Sequence, residues 1–167
     1  YSRDFIMNYM PDLSRVRLKD TWVFAEGEDI HLFFLAESPH RPVTDRLFGH
    51  AVSNDWLNWR TLDPIDVTGG EQAWDANTPG TGYTFKYDDG RYYLAYTGRR
   101  GYGSDQQEHI SLMVSDDLKS WSKLSDKPIW PCPSGREYEN QSNVPRAAWR
   151  DPFIMNNTQG QWEAFCA

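Results

Sequence analysis

The chain repeats itself at a spacing of 62 residues. Ile30-His31-Leu32-Phe33-Phe34 falls on Tyr92-Tyr93-Leu94-Ala95-Tyr96, and residues 52–59 fall on 114–121, both without a gap. A fixed long period means that one supersecondary unit is used again. Each copy has an aromatic-rich run, a second run ending in Val-Ser, a turn, and a Trp that opens a short last segment. These are strand and turn signals, and their order predicts all-β structure built from propeller blades. A chain of 167 residues holds two such units and part of a third, whereas propellers use roughly four to eight blades. Open blades leave sheet edges and an apolar face uncovered, so the remaining blades, on a longer chain or another subunit, are expected partners.

Blade one is expected over about residues 20–62, blade two over about 75–125, and the start of blade three over about 149–167. The predicted strands of blade one lie within 23–37, split by a turn at Glu26-Gly27-Glu28-Asp29, then at 48–53 and 59–62. In blade two they lie at 82–87, 91–97, 109–115 and 121–124, and in blade three at 152–156 and 161–166. Asp88-Asp89-Gly90 between two aromatic runs is a hairpin turn signal. Residues 1–19, with Pro11 and no sustained helical period, read as an irregular lead-in. Residues 127–148, rich in Pro, Ser and Asn, read as a long loop, the kind of segment in which function often sits. The repeated Ser53-Asn54-Asp55 and Ser115-Asp116-Asp117 read as turn-closing side chains, and Trp59 and Trp121 as packing residues.

Charge narrows the partners. Lys and Arg number 17 against 24 Asp and Glu, a formal charge of −7, so nucleic acid is not an expected partner. The longest apolar run, residues 30–36 with His31 inside it, is far too short to span a membrane. The first residues lack the apolar core of a signal peptide, and the compartment is left open. Cys132 and Cys166 have no metal-ligand spacing and read either as a pair or as two packed thiols. No metal and no cofactor is expected. Asn140-Gln141-Ser142 and Asn156-Asn157-Thr158 match the glycosylation acceptor pattern.

Two carboxylates stand at equivalent places, each where a blade's first strand begins: Asp20 in Lys-Asp-Thr-Trp and Asp151 in Trp-Arg-Asp-Pro. First strands line the channel of a propeller, so residues that open them converge at one mouth. Facing carboxylates are what glycosidic cleavage requires, one to attack or stabilise the anomeric carbon and one to protonate the leaving oxygen. Trp22, Trp74 and Trp149 are candidate pocket rings, because flat apolar surfaces match the C–H face of a sugar.

These residues carry a resemblance. Asp20-Thr21-Trp22, the run from Glu26 through Phe34, Phe48-Gly49-His50-Ala51-Val52-Ser53 and Trp149-Arg150-Asp151-Pro152 are similar, in order and spacing, to the five-bladed propellers of glycoside hydrolase families 32 and 68. The resemblance covers residues 20–167. It implies the first two blades and part of the third of a β-fructosidase-type catalytic propeller acting on a carbohydrate: sucrose, a fructan or a related furanoside. It implies that Asp20 is the nucleophile, although Asp-Thr-Trp departs from the Asn-Asp-Pro-Asn form of family 32 and is nearer to that of family 68. It implies that Asp151 stabilises the oxocarbenium-like transition state, with Arg150 beside it keeping the carboxylates ionised. Trp74, Asp75 and Thr81 fall where the family binds sugar hydroxyls. The family's acid/base glutamate is expected downstream of Arg-Asp-Pro and is not among these residues; Glu137 and Glu139 lie upstream, out of family order. The alternative readings are an inverting propeller glycosidase of the arabinanase and xylosidase type, with Asp20 as general base, and a non-catalytic carbohydrate-binding propeller.

Overall fold

A computed structural model describes residues 17–37, 47–77, 79–133 and 148–167. The chain divides into two compact units, Tyr1–Asp66 and Val67–Ala167. In the first, strands β1 (Arg17–Glu26), β2 (Asp29–Glu37), β3 (Leu47–Ser53) and β4 (Arg60–Thr61) form one antiparallel sheet in the order β1-β2-β3-β4. Gly27, at φ 61, occupies the first place of the two-residue turn between Glu26 and Asp29, where a primed hairpin turn takes glycine. Three consecutive β2 residues, Phe33, Phe34 and Leu35, are all but fully buried, so this strand is covered on both faces. Gly49 pairs with Phe34, and a Cβ there would fall inside the Phe34 ring. Its place in Gly-His-Ala-Val-Ser is therefore fixed by packing.

The second unit repeats the plan. Strands β5 (Gly82–Lys86), β6 (Tyr92–Arg100), β7 (Gln107–Ser115) and β8 (Ser122–Lys123) form a sheet in the order β5-β6-β7-β8. Strands β9 (Phe153–Asn156) and β10 (Trp162–Phe165) form a separate antiparallel hairpin. Ile154 of β9 joins Phe85, Tyr93, Ala95 and Leu112 in one core cluster, and Trp130 and Trp162 pack against it. An apolar cavity of about 370 Å³ runs along this seam, lined among others by Leu112, Ile154 and Trp162.

The repeated turn is the same object twice. The Asp55 carboxylate accepts the Leu57 and Asn58 N–H groups at 2.8 and 2.6 Å. Asp117 accepts those of Lys119 and Ser120 at 2.8 and 2.7 Å. These bonds favour the ionised form and pull both carboxyls down to about 2. Trp56 and Leu118, one in each turn, share a left-handed φ of 62 and 61.

Two expectations need correction. Strand β1 begins at Arg17, inside the stretch expected to be irregular, because residues 17–19 pair with 35–37. Strand β6 runs on to Arg100 and β7 starts at Gln107, so that Gly98, Arg99 and Arg100 pair with His109, Glu108 and Gln107. A turn through Gly101, at φ 76, and a 3₁₀ segment Gly103–Asp105 closes this longer hairpin. Residues 1–16 and 134–147, and with them Glu137, Glu139 and Asn140, lie outside the described residues. Cys132 and Cys166 form no disulfide. Among the described residues no helix is long and apolar enough to cross a membrane, and no cluster of His, Cys, Asp and Glu has the form of a metal site.

Candidate active site

Asp20 sits on a β-bulge. Lys19 faces Leu35 and Trp22 faces Phe33, so Asp20 and Thr21 together oppose the single residue Phe34. A bulge breaks the alternation of a strand and re-aims a side chain. Asp20 adopts φ 47, a left-handed conformation that costs an L-residue roughly 1–2 kcal/mol and that aspartate tolerates better than most. Its side chain is exposed. Two residues on, Trp22 is 9% exposed, stacked on Phe33 at 5.6 Å and edge-on to Phe48 at 5.2 Å. Trp22 is thus packed in the core of its own sheet, and the strand it anchors presents Asp20.

Asp151 has the same backbone signature in the second unit. Its φ is 54, its side chain is 45% exposed, and it stands two residues ahead of the start of β9. The Asp151 N–H donates to Thr97 Oγ1 at 3.1 Å, and that hydroxyl in turn donates to the carbonyl of Thr81 at 3.3 Å. Thr97 is fully buried in β6, so two predicted site residues, Thr81 and Asp151, are tied through one hydroxyl. Arg150 exchanges backbone hydrogen bonds with Ala167 at 3.1 and 2.9 Å, and its guanidinium stands 3.6 Å from the Asp151 carboxylate.

Trp74 and Asp75 pack against Tyr96 and Gly98 of β6. The Trp74 ring stacks on Tyr96 at 5.9 Å, and it lies over Gly98, where a Cβ would come within 2.3 Å of the indole. The glycine of Tyr-Thr-Gly is therefore the floor on which the indole rests. Asp75 is 2% exposed and its Oδ2 accepts from Tyr96 Oη at 2.9 Å and Lys123 Nζ at 2.6 Å, while Oδ1 has no partner. Burial, with the Asp75 charge beside it, raises the Tyr96 phenol well above its ordinary range. Nearby His109 accepts the Cys132 N–H at Nδ1, and burial lowers its pKa.

Sequence reasoning missed Thr97, Arg99 and Glu108. Glu108 is 2% exposed; its Oε1 accepts from Arg99 Nε at 2.8 Å and Gln106 Nε2 at 2.9 Å, and its Oε2 from the Trp149 N–H at 3.3 Å. Trp149 also donates its indole N–H to the Trp130 carbonyl at 3.0 Å. The available signal was a charged pair directly across a hairpin, which becomes visible only when the strands extend past Thr97 and His109. Of the candidates, Trp74, Asp75, Thr81, Arg150 and Asp151 belong to the second unit, and Asp20 and Trp22 to the first.

The sequence comparisons converge on one group. A family model described as the N-terminal domain of glycosyl hydrolases family 32 matches residues 20–167. The chain is 31% identical over 139 residues to a β-fructofuranosidase, insoluble isoenzyme CWINV6, of Arabidopsis thaliana, covering 79% of this chain and 23% of that protein. It is 31% identical over 108 residues to β-fructofuranosidase 1 of Zea mays, covering 63% of this chain and 16% of that protein. The chain therefore spans less than a quarter of the length of these relatives. It superposes on the crystal structure of fructan 1-exohydrolase IIa from Cichorium intybus with a TM-score of 0.68, at 22% identity, over 89% of this chain and 27% of that one. The superposition makes the two four-stranded sheets blades of the β-propeller fold. With the match running from Asp20 to the last residue, the chain belongs to glycosyl hydrolase family 32, of which it carries the N-terminal domain.

Proposed function

We propose that this chain carries the nucleophile and the transition-state stabiliser of a retaining, β-fructofuranosidase-like glycoside hydrolase that acts on sucrose, a fructan or a related furanoside. The observation that carries the reading is the shared backbone signature of Asp20 and Asp151, exposed carboxylates held at φ 47 and 54, the one on a bulge in β1 and the other just ahead of β9. Strained non-glycine residues persist only where the surroundings over-determine them, and they cluster at active sites. With blades proposed over residues 20–62, 75–125 and 149–167, each aspartate lies near the N-terminal end of a blade.

In the reaction, the Asp20 carboxylate attacks the anomeric carbon and the bond to the leaving oxygen breaks, leaving a fructosyl ester on Asp20. The leaving oxygen takes its proton from a carboxylic acid, which the family order puts downstream of Arg-Asp-Pro. Asp151 accepts hydrogen bonds from the sugar hydroxyls, and its negative charge opposes the positive charge that develops on the ring. Arg150 and Thr81 are the polar contacts proposed beside it, and Trp74 the ring against the sugar face. Trp22 supports the strand that carries Asp20 from behind, and Asp75 holds Tyr96, the ring on which Trp74 stacks. Water, or a second sugar, then resolves the ester. Incubation of the full-length protein with sucrose tests this through the configuration of the first released fructose, followed by NMR before mutarotation. Retention is expected; inversion, or no hydrolysis of any fructoside, would overturn it.

A further inference from the structure

A buried carboxylate has to be paired, and Arg99 already does this for Glu108. Pairing alone does not account for the second oxygen. Glu108 Oε2 is turned to the N–H of Trp149, 41 residues later in the chain, and the Arg150 guanidinium stands 3.9 Å from Oε1. Trp149 and Arg150 are the two residues that lead into Asp151. From the same strand pair, Thr97 Oγ1 receives the Asp151 N–H. The end of the β6–β7 hairpin thus grips residues 149, 150 and 151 in turn, and the last of them is the one held at φ 54. Without these anchors the left-handed backbone of an aspartate that precedes proline would have no reason to persist.

We propose that Glu108 is a positioning residue for Asp151: by fixing the Trp149 amide and drawing Arg150 inward, it sets the direction in which the Asp151 carboxylate meets the sugar. It touches no substrate, and it acts through Asp151 alone. This inference rests on the reading of Asp151 given above, and the test separates the two.

The experiment is a double-mutant cycle in the full-length protein, with kcat and KM measured on sucrose for Glu108→Gln, Asp151→Asn and the pair. Glu108→Gln replaces one acceptor oxygen by an N–H₂ group and removes the charge that Arg99 and Arg150 face. Its kcat should fall about 10- to 100-fold, the usual scale for a group that orients a catalytic residue, with KM changed by less than about threefold. Asp151→Asn alone should lower kcat by about 10³. In that background Glu108→Gln should cost little more, because the interaction it supports is already gone. A Glu108→Gln loss that multiplies in full with that of Asp151→Asn overturns the positioning role and leaves Asp151 in place. Near-normal turnover in Asp151→Asn overturns the reading of Asp151 and this inference with it. Should Glu108→Gln fail to fold, Glu108→Asp runs the same cycle. It keeps the charge for Arg99 but is one methylene short of the Trp149 amide, and unchanged kcat in that folded variant also refutes the proposal.

Discussion

The two four-stranded sheets are alike at their turns and unlike in their interiors. Ser53 Oγ meets Asp55 Oδ1 at 3.0 Å and Ser115 Oγ meets Asp117 Oδ1 at 3.1 Å, a repetition nearly to the tenth of an ångström. Inside, the first sheet buries a histidine pair, His31 Nδ1 to His50 Nε2 at 2.9 Å, with the His50 ring stacked on Phe33 at 4.3 Å. The second unit buries two carboxylates, Asp75 and Glu108, each against its own cation. The turns agree because their chemistry is local and any blade needs it. In the second unit Glu108 also accepts the Trp149 N–H, a charge-assisted bond that fixes the segment carrying Asp151. What the repeat keeps is scaffold, and what breaks the repeat lies beside the candidate site.

The largest expected effect comes from breaking a buried charge pair. Lys123→Met strands the Asp75 carboxylate, whose Oδ1 already lacks a partner, and should destabilise the protein by about 3 kcal/mol or more in denaturant unfolding. A cost below about 1 kcal/mol would show that the second interior is no more electrostatic than the first.

The first sheet should fail instead in acid. His50 is lowered to about 3, first by burial and then by the charge of His31, so the folded protein keeps it neutral while the unfolded chain protonates it near its ordinary 6.5. The unfolded state then binds more protons, and stability present above about pH 6.5 is lost as the pH falls towards about 3. The loss should be on the order of 1 kcal/mol per pH unit. Thermal unfolding of wild type and His50→Phe between pH 7 and 4 reads this directly. Equal pH dependence of the two proteins would remove His50 from the account.

The smallest effect tests the likeness itself. Ser53→Ala and Ser115→Ala each remove two turn hydrogen bonds, one donated to the aspartate carboxylate and one accepted from its N–H, and should cost about 0.5–1.5 kcal/mol. The two losses should match within about 0.5 kcal/mol; a clear inequality would mean that the repeated turns are not interchangeable.

The turns and the strand order were legible in the chain because Gly, Asp and Ser act on the backbone within a few residues of themselves. Gly27, Gly90 and the Ser-x-Asp pairs all fall where their spacing puts them. The ends of β6 and β7 were not legible. Arg99, Arg100, Gln107 and Glu108 read as polar loop, and what makes them strand is a cross-strand ion pair together with the amide of Trp149, far along the chain. Trp22 and Asp75 show the same limit from the other side. Residue type gives no sign that the Trp22 indole stacks on Phe33 or that the Asp75 carboxylate meets Lys123, 48 residues away. The left-handed backbones of Asp20 and Asp151 leave no mark in residue type, since aspartate adopts many conformations.

The central claim is that the two strained aspartates have divided a glycosyl transfer between them, with Asp20 taking the covalent part. The most direct measurement is mass spectrometry of peptides from the full-length protein, acid-quenched during turnover of a slow fructosyl substrate. The account predicts a single fructosyl adduct, on the peptide that contains Asp20. An adduct on the peptide that contains Asp151, or on any other carboxylate, would contradict it.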